Sequence, residues 1–417
     1  MHPGSTAIDP GERVRTLGWC GVLHVFTHLY NVALLPLYLA IQRDLGLNSV
    51  EQATGLVTAL MLGYVLPGFA IGVVADRWSR HRLLGLGLAV NALAFMGLSV
   101  AQSYPAALVC AVIAGIGGSC YHPAANALIA QADPLNPGRA FGLVGIGASV
   151  GFCFGPLYSG WRAEHAGWRE PVFELGLAGL VTALAFLAAH RSTPPPPRRS
   201  PAQPVRMFPQ PMALVWFLAA CLGFSLRDFS ASAMASLTSL FLQQVHHFSV
   251  ERTGFALSLI FLASAVSNPL IGHLSDRGQG RWITGVMFGA AALMTLFPRV
   301  APGFAELALA GYGFFMLASY PITEAALVLA VPDEVRGRIF GLFLTVAGFI
   351  GNLGHWRAGV WVNDLGAAAA NAPAYFPLYA WLGMLVVLAP LAMPCLNRLK
   401  HHHRQAALPS IRPTPSL

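Results

Sequence analysis

The sequence predicts an all-α membrane protein, with twelve transmembrane helices in two pseudo-symmetric bundles of six. Three observations carry this expectation. The 417-residue chain is 55% hydrophobic and only 10% charged, too little charge to cover a soluble protein of that size. Apolar stretches of about 20 residues, enough to cross a bilayer core, recur along its length. The segment Gly72-Val-Val-Ala-Asp76-Arg77-Trp-Ser-Arg80-His81-Arg82 also returns about 200 positions later, as Gly272-His-Leu-Ser-Asp276-Arg277-Gly-Gln-Gly-Arg281.

The spans follow in order. The first, 17–41, is apolar around a polar patch at His24, Thr27 and His28; spans 54–75 and 83–101 flank the first copy of the repeated segment. Span 105–131 carries the glycine-rich run from Gly115 to Pro123, 139–161 contains Gly151 to Gly160, and 171–190 leads into a proline-rich stretch. Span 212–243 holds Arg227 and Asp228, and 253–274 with the short 282–298 flank the second copy. Span 303–331 holds Glu324, and 338–362 and 374–396 complete the set. Pro36, Pro67 and Pro123 do not lower the count, because membrane helices tolerate proline. Two further pairs keep the offset: Ser49-Val50-Glu51 with Ser249-Val250-Glu251, and Gly138-Arg139-Ala-Phe-Gly-Leu143 with Gly337-Arg338-Ile-Phe-Gly-Leu342.

The formal charge of +8 is placed by topology. Arg77, Arg80 and Arg82 follow span two, Arg191, Arg198, Arg199 and Arg206 follow span six, and Arg277 and Arg281 follow span eight. Arg13 and Arg15 precede the first span; Arg398, Lys400 and Arg404 follow the last. The alternate loops are balanced, as with Arg162, Glu164, Arg169 and Glu170. This asymmetry places both termini and the central loop in the cytoplasm, and it is not a nucleic-acid footprint. No cleavable signal peptide is expected, since the polar start runs into a span too long for one. The expected organisation is a six-helix bundle over 1–190, a cytoplasmic Pro/Arg-rich linker over 191–211, a second bundle over 212–400, and a disordered cytoplasmic tail over 401–417. All six cysteines lie inside predicted spans without CxxC spacing, and are expected as small packing residues.

The Gly-x-x-x-Asp-Arg-x-x-Arg loop, its second copy and the twelve spans resemble the major facilitator superfamily of transporters, over nearly the whole chain. Parallel repeats of this kind are a mark of transporter architecture. The resemblance implies a cytoplasmic gate at Gly72, Asp76, Arg77 and Arg80, echoed by Gly272, Asp276 and Arg277; the alternative is that the arginines only set orientation. Gly151-Phe-Cys-Phe-Gly155-Pro156-Leu-Tyr-Ser-Gly160 resembles the G-x-x-x-G-P-x-x-G-G motif of the superfamily's antiporters, with Ser159 in place of a glycine. Its glycines make a flat face for close helix packing, which is also its plainest reading. Finer resemblance is to the fosmidomycin-resistance branch of drug exporters, through Gly115-Ile-Gly-Gly-Ser-Cys-Tyr121-His122-Pro123 and His24. Thr27 and His28 stand where that branch has Asn and Asp, so its coupling chemistry does not transfer whole.

An ionisable group at mid-bilayer costs about 2.5–3.5 kcal/mol on insertion scales, so each requires a reason. His24 and His28 share one helix face at i and i+4. With Thr27, Tyr121, His122, Arg227, Asp228 and Glu324 they are the candidate substrate-binding residues; His24, His28, His122 and Glu324 fall at one depth, about 10–16 Å from the cytoplasmic surface. A single histidine there is also compatible with a core role, bonded to a neighbouring carbonyl. Arg227 and Asp228 diverge by about 100° on a helix, so their mutual neutralisation is not assured. Burial favours the neutral form of a carboxyl and a nearby cation the ionised form. Glu324 is therefore the expected proton carrier, with Asp228, His28 and His122 as further coupling candidates. His273 and His355 are weaker candidates.

HxxxH plus His122 has the chemistry of a transition-metal site, and His401-His402-His403 adds to it, but no metal site is assigned on sequence alone. No cofactor is expected, and neither a P-loop nor a nucleophile–base pair points to an enzyme. The expected protein is a monomeric proton-coupled exporter of a small organic solute in the inner membrane. An anion-importing symporter anchored by Arg227, a metal exporter and a transport-dead receptor or scaffold are the alternatives.

Overall fold

The computed structural model describes residues 9–190, 206–275 and 279–407. Twelve helices are long and apolar enough to cross a membrane. In the first half they run Pro10–Asp44 (α1), Val50–Ala75 (α2), Arg80–Ser99 (α3), Tyr104–Ala132 (α4), Gly138–Ala166 (α5) and Arg169–Ala189 (α6). In the second they run Pro211–Gln244 (α7), Val250–Ile271 (α8), Trp282–Arg299 (α9), Pro302–Ala330 (α10), Val335–Ala370 (α11) and Ala372–Gln405 (α12). Each predicted span coincides with one of them, and no strand occurs among the described residues. All six cysteines are free thiols. The expected linker falls largely on 191–205, outside the described residues, as do Asp276, Arg277 and the last ten positions.

Prolines shape the helices without changing their number. Pro36, Pro67 and Pro123 lack the N–H that would bond the carbonyl four residues back, at Val32, Gly63 and Ser119. The regular segments accordingly end at Val32 in α1, Val65 in α2 and Ser119 in α4. Pro156 and Pro321 instead remain inside unbroken helices.

An even number of crossings leaves both chain ends on one side, the terminal face, with the opposite side the distal face. The halves are stitched together towards the distal face. There α2 packs on α11, α5 on α8, and the end of α1 on α7. Tyr38 and Ser236 hydroxyls meet at 2.7 Å, and Ser239 Oγ donates to the Leu35 carbonyl at 2.6 Å. Trp356 N donates to Thr58 Oγ1 at 2.8 Å. Glu164 of α5 accepts from Val250 N at 2.9 Å, so its carboxylate supports the positive N-terminus of α8. Gly160 and Gly254 let α5 and α8 touch: a Cβ on Gly160 would lie 2.7 Å from the Val250 carbonyl.

Towards the terminal ends the contact between the same helices thins, although 68–77 still touches α11. A Cβ on Gly138 or Gly142 of α5, or on Gly337 or Gly341 of α11, would meet nothing within 4 Å. Glu324 is exposed and His24, His28 and His122 are half-buried although they lie within the spans, so the halves enclose a vestibule that is closed at the distal seam.

One expectation is corrected at the C-terminus. The chain is helical to Ala407 rather than disordered from residue 401. No helix breaker occurs before Pro409, His402 Nδ1 lies 3.0 Å from Gln210 Oε1, and His403 is buried.

Candidate functional site

Two polar clusters line the vestibule, one from each half. In the first, His24 and His28 lie one turn apart on α1, with ring nitrogens Nε2 3.0 Å apart. Glycines at 147 and 151 allow α5 to lie against α1, and the Val144 carbonyl then accepts from His24 Nδ1 at 3.0 Å. A carbonyl only accepts, so the His24 proton sits on Nδ1 and its Nε2 presents a lone pair. His28 Nε2–H donates to that lone pair, which leaves His28 Nδ1 buried without a partner. His122, from the segment of α4 that begins after the Ser119 break, places its ring 5.4 Å from His24 and 5.7 Å from His28. All three histidines are half-buried.

Two residues expected to share this site do not. The Thr27 hydroxyl donates back to the Leu23 carbonyl at 3.0 Å, and the residue is buried in helix packing. Tyr121 stacks behind His24 at 4.7 Å, and its hydroxyl is taken by the Cys20 carbonyl at 2.8 Å. Both support the cluster from behind. Phe152, whose ring is 4.3 Å from His28 and 5.0 Å from Phe261 of the second half, was not legible in the sequence; nor was Tyr64, whose ring lies 6.2 Å from His122.

The second cluster is built on charge. Arg227 is 1% exposed. Its long side chain bends so that Nε donates to neighbouring Asp228 Oδ1 at 2.9 Å, and the adjacent pair does neutralise itself. Nη1 donates to Thr323 Oγ1 at 3.0 Å and Ser319 Oγ at 3.3 Å on α10, and the guanidinium lies 3.9 Å from the Tyr320 ring centroid. Tyr320 OH also donates to Asp228 Oδ1, at 3.1 Å. Arg227 is therefore enclosed, and its Nε–H holds Asp228 Oδ1 in place. Glu324, one turn beyond Tyr320, is the exposed acid, within electrostatic reach of Arg227 and Asp228. A tyrosine four residues before a glutamate within a predicted span was the one sequence signal for Tyr320.

The weaker candidates separate. His355 Nδ1 is 2.8 Å from Ser236 Oγ, part of the distal stitching, while His273 is exposed near the terminal end of α8. The residues expected to form a gate, Gly72, Arg77 and Arg80, lie at the terminal end of α2 and the start of α3, where a Cβ on Gly72 would meet nothing within 4 Å. The side chain of Asp76 is outside the described residues. Gly151 and Gly155 pack α5 on α1, whereas Pro156 and Gly160 face α8, so the helix-five motif touches both halves. Two concavities, of about 460 and 760 Å³, lie towards the distal face beside Trp161 and Gln243, away from both clusters.

A twelve-helix bundle closed at one face, with ionisable groups in the vestibule, defines a membrane transporter. The chain belongs to the Major Facilitator Superfamily, whose sequence profile matches residues 20–355. It is similar to the fosmidomycin resistance protein of Escherichia coli, 23% identical over 386 residues that cover 90% of this chain and 92% of that one. A Bacillus subtilis MFS-type transporter, YceJ, is 27% identical over 275 residues, 64% of this chain and 68% of its own. Among solved structures, a bacterial homologue of the lysosomal transporter Spinster, inward-facing and unoccupied, superposes with TM-score 0.69 at 17% identity, over 98% of this chain and 100% of that one. A POT peptide transporter in complex with alafosfalin superposes with TM-score 0.74 at 12% identity, over 96% of each chain.

Proposed function

We propose that this chain is a secondary active exporter in the inner membrane, moving a small organic solute outwards against protons, with both termini cytoplasmic. The observation that carries this reading is the pairing of an exposed acid, Glu324, with the enclosed Arg227–Asp228 pair between the two halves. A carboxylate that alternates between faces is a proton carrier. A cation locked in five contacts makes a poor anion anchor, which disfavours the importing symporter. Export is supported by the helix-five motif at the inter-half seam and by resemblance to a protein named for drug resistance. In this reading the protein works as a monomer. The terminal face closes when the Gly72–Arg80 loop engages, and Asp228 and Glu324 meet the substrate from one side, His28 and His122 from the other.

The test begins with a ligand screen by thermal shift on purified protein, with fosmidomycin among the compounds. Flux of the hit is then followed in proteoliposomes under an imposed pH gradient. Counterflow of solute and protons is expected; co-directional movement would return the symporter. Asp76→Asn should insert and fold normally yet transport slowly, because it removes a charge from the gate and keeps its shape. Normal flux at normal expression would reduce the loop to an orientation signal.

A further inference from the structure

The histidine cluster is arranged as a ligand set. The closest ring nitrogens of His24, His28 and His122 all lie within 4.8 Å of one another. Three imidazoles bound to one tetrahedral ion at about 2.0–2.1 Å stand roughly 3.3 Å apart, so small χ rotations close the set. The Val144 carbonyl holds His24 Nδ1–H at 3.0 Å, the outer-shell bond that fixes the tautomer of a metal-ligating histidine and aims its Nε2 at the ion. His28 Nδ1, buried and without a partner, is vacant to take the proton that Nε2 gives up.

We propose that His24, His28 and His122 bind one divalent transition-metal ion of the zinc, cobalt, nickel or copper class, with its fourth position open to the vestibule. Imidazole nitrogen selects these ions over magnesium or calcium, which prefer oxygen. The step balances without a redox partner. The proton on His28 Nε2 moves to its vacant Nδ1, the freed Nε2 lone pair binds the ion beside those of His24 and His122, and a water fills the fourth position. Three neutral ligands leave the site cationic, so a metal-chelating or anionic group would complete it.

The experiment uses full-length, untagged protein in which His401, His402 and His403 are replaced by alanine, which removes the terminal histidine run. Cobalt(II) is titrated against its visible absorption. One equivalent with the intense bands of four-coordinate cobalt is expected, displaced by zinc(II). His28→Gln and His122→Gln should each weaken binding at least about tenfold with unchanged monodispersity and melting temperature. X-ray absorption of the cobalt-loaded protein needs no further variant and should count three imidazoles. No saturable four-coordinate spectrum, two or fewer imidazoles, or affinity indifferent to both substitutions overturns the site.

Discussion

The two halves place polarity at matching repeat positions but solve its burial in opposite ways. On α1, Thr27 and His28 occupy the places that Arg227 and Asp228 hold on α7, about 200 residues later. The first half uses neutral imidazoles, half-buried and linked by a single 3.0 Å contact, with one nitrogen left unpaired. The second half buries a full charge and surrounds it with a carboxylate, two hydroxyls and an aromatic ring. A neutral group tolerates incomplete pairing at moderate cost, whereas a buried ion does not. The second cluster is therefore part of the structure, and the first remains available to a ligand.

That contrast fixes the largest expected effect. Arg227→Ala leaves Asp228 without its cation and should lower stability by about 3 kcal/mol, the low end for a broken buried pair, because Asp228 keeps some contact with water. It should also abolish solute binding, since Asp228 loses its orientation. His28→Ala removes no charge pair and should shift stability by about 1 kcal/mol or less. Unfolding curves of both variants in one detergent decide the matter, and equal destabilisation breaks the comparison.

Next in size is Glu324→Gln. It should abolish pH-driven transport while leaving solute binding and exchange intact, as measured by counterflow in proteoliposomes. Undiminished pH-driven flux moves coupling to Asp228 or the histidines. Smaller still is Gly160→Leu, which overpacks the distal seam by about 1–3 kcal/mol. Its effect is conformational: alkylation of a cysteine placed at Gly138 should slow about tenfold as the terminal-open population falls. An unchanged rate means that the Gly160–Gly254 contact does not hold that state. The mildest is Tyr320→Phe, which keeps the ring over Arg227 and removes one hydrogen bond to Asp228. A loss of about 1 kcal/mol in solute affinity, roughly five-fold, is expected by titration.

The fold was legible because lipid demands long apolar helices, and the spans 212–243 and 303–331 could be read directly from hydropathy. The proline positions left the count unchanged, and the local breaks at Val32, Val65 and Ser119 were not read from them. The helical continuation to Ala407 was hidden because polar residues signal solvent contact and not disorder. The site was legible as a set of ionisable residues, yet exposure was not. Arg227 reads in sequence like an anchor, and only the approach of Ser319, Tyr320 and Thr323 from α10 shows that it is enclosed. The Val144 carbonyl lies 120 positions from His24, and periodicity carries no information on such contacts. Thr27 and Tyr121 were legible as polar neighbours of the histidines, but their hydroxyls turn to backbone carbonyls.

The proposed exporter stands or falls on the direction in which protons move. Proteoliposomes holding the wild-type chain and a pH-sensitive dye, with the solute found by the ligand screen, report both fluxes together. The account predicts that solute and protons cross in opposite directions, and that Glu324→Gln exchanges solute with no proton signal. Solute and protons entering together, or solute transport that ignores an imposed pH gradient, would contradict it.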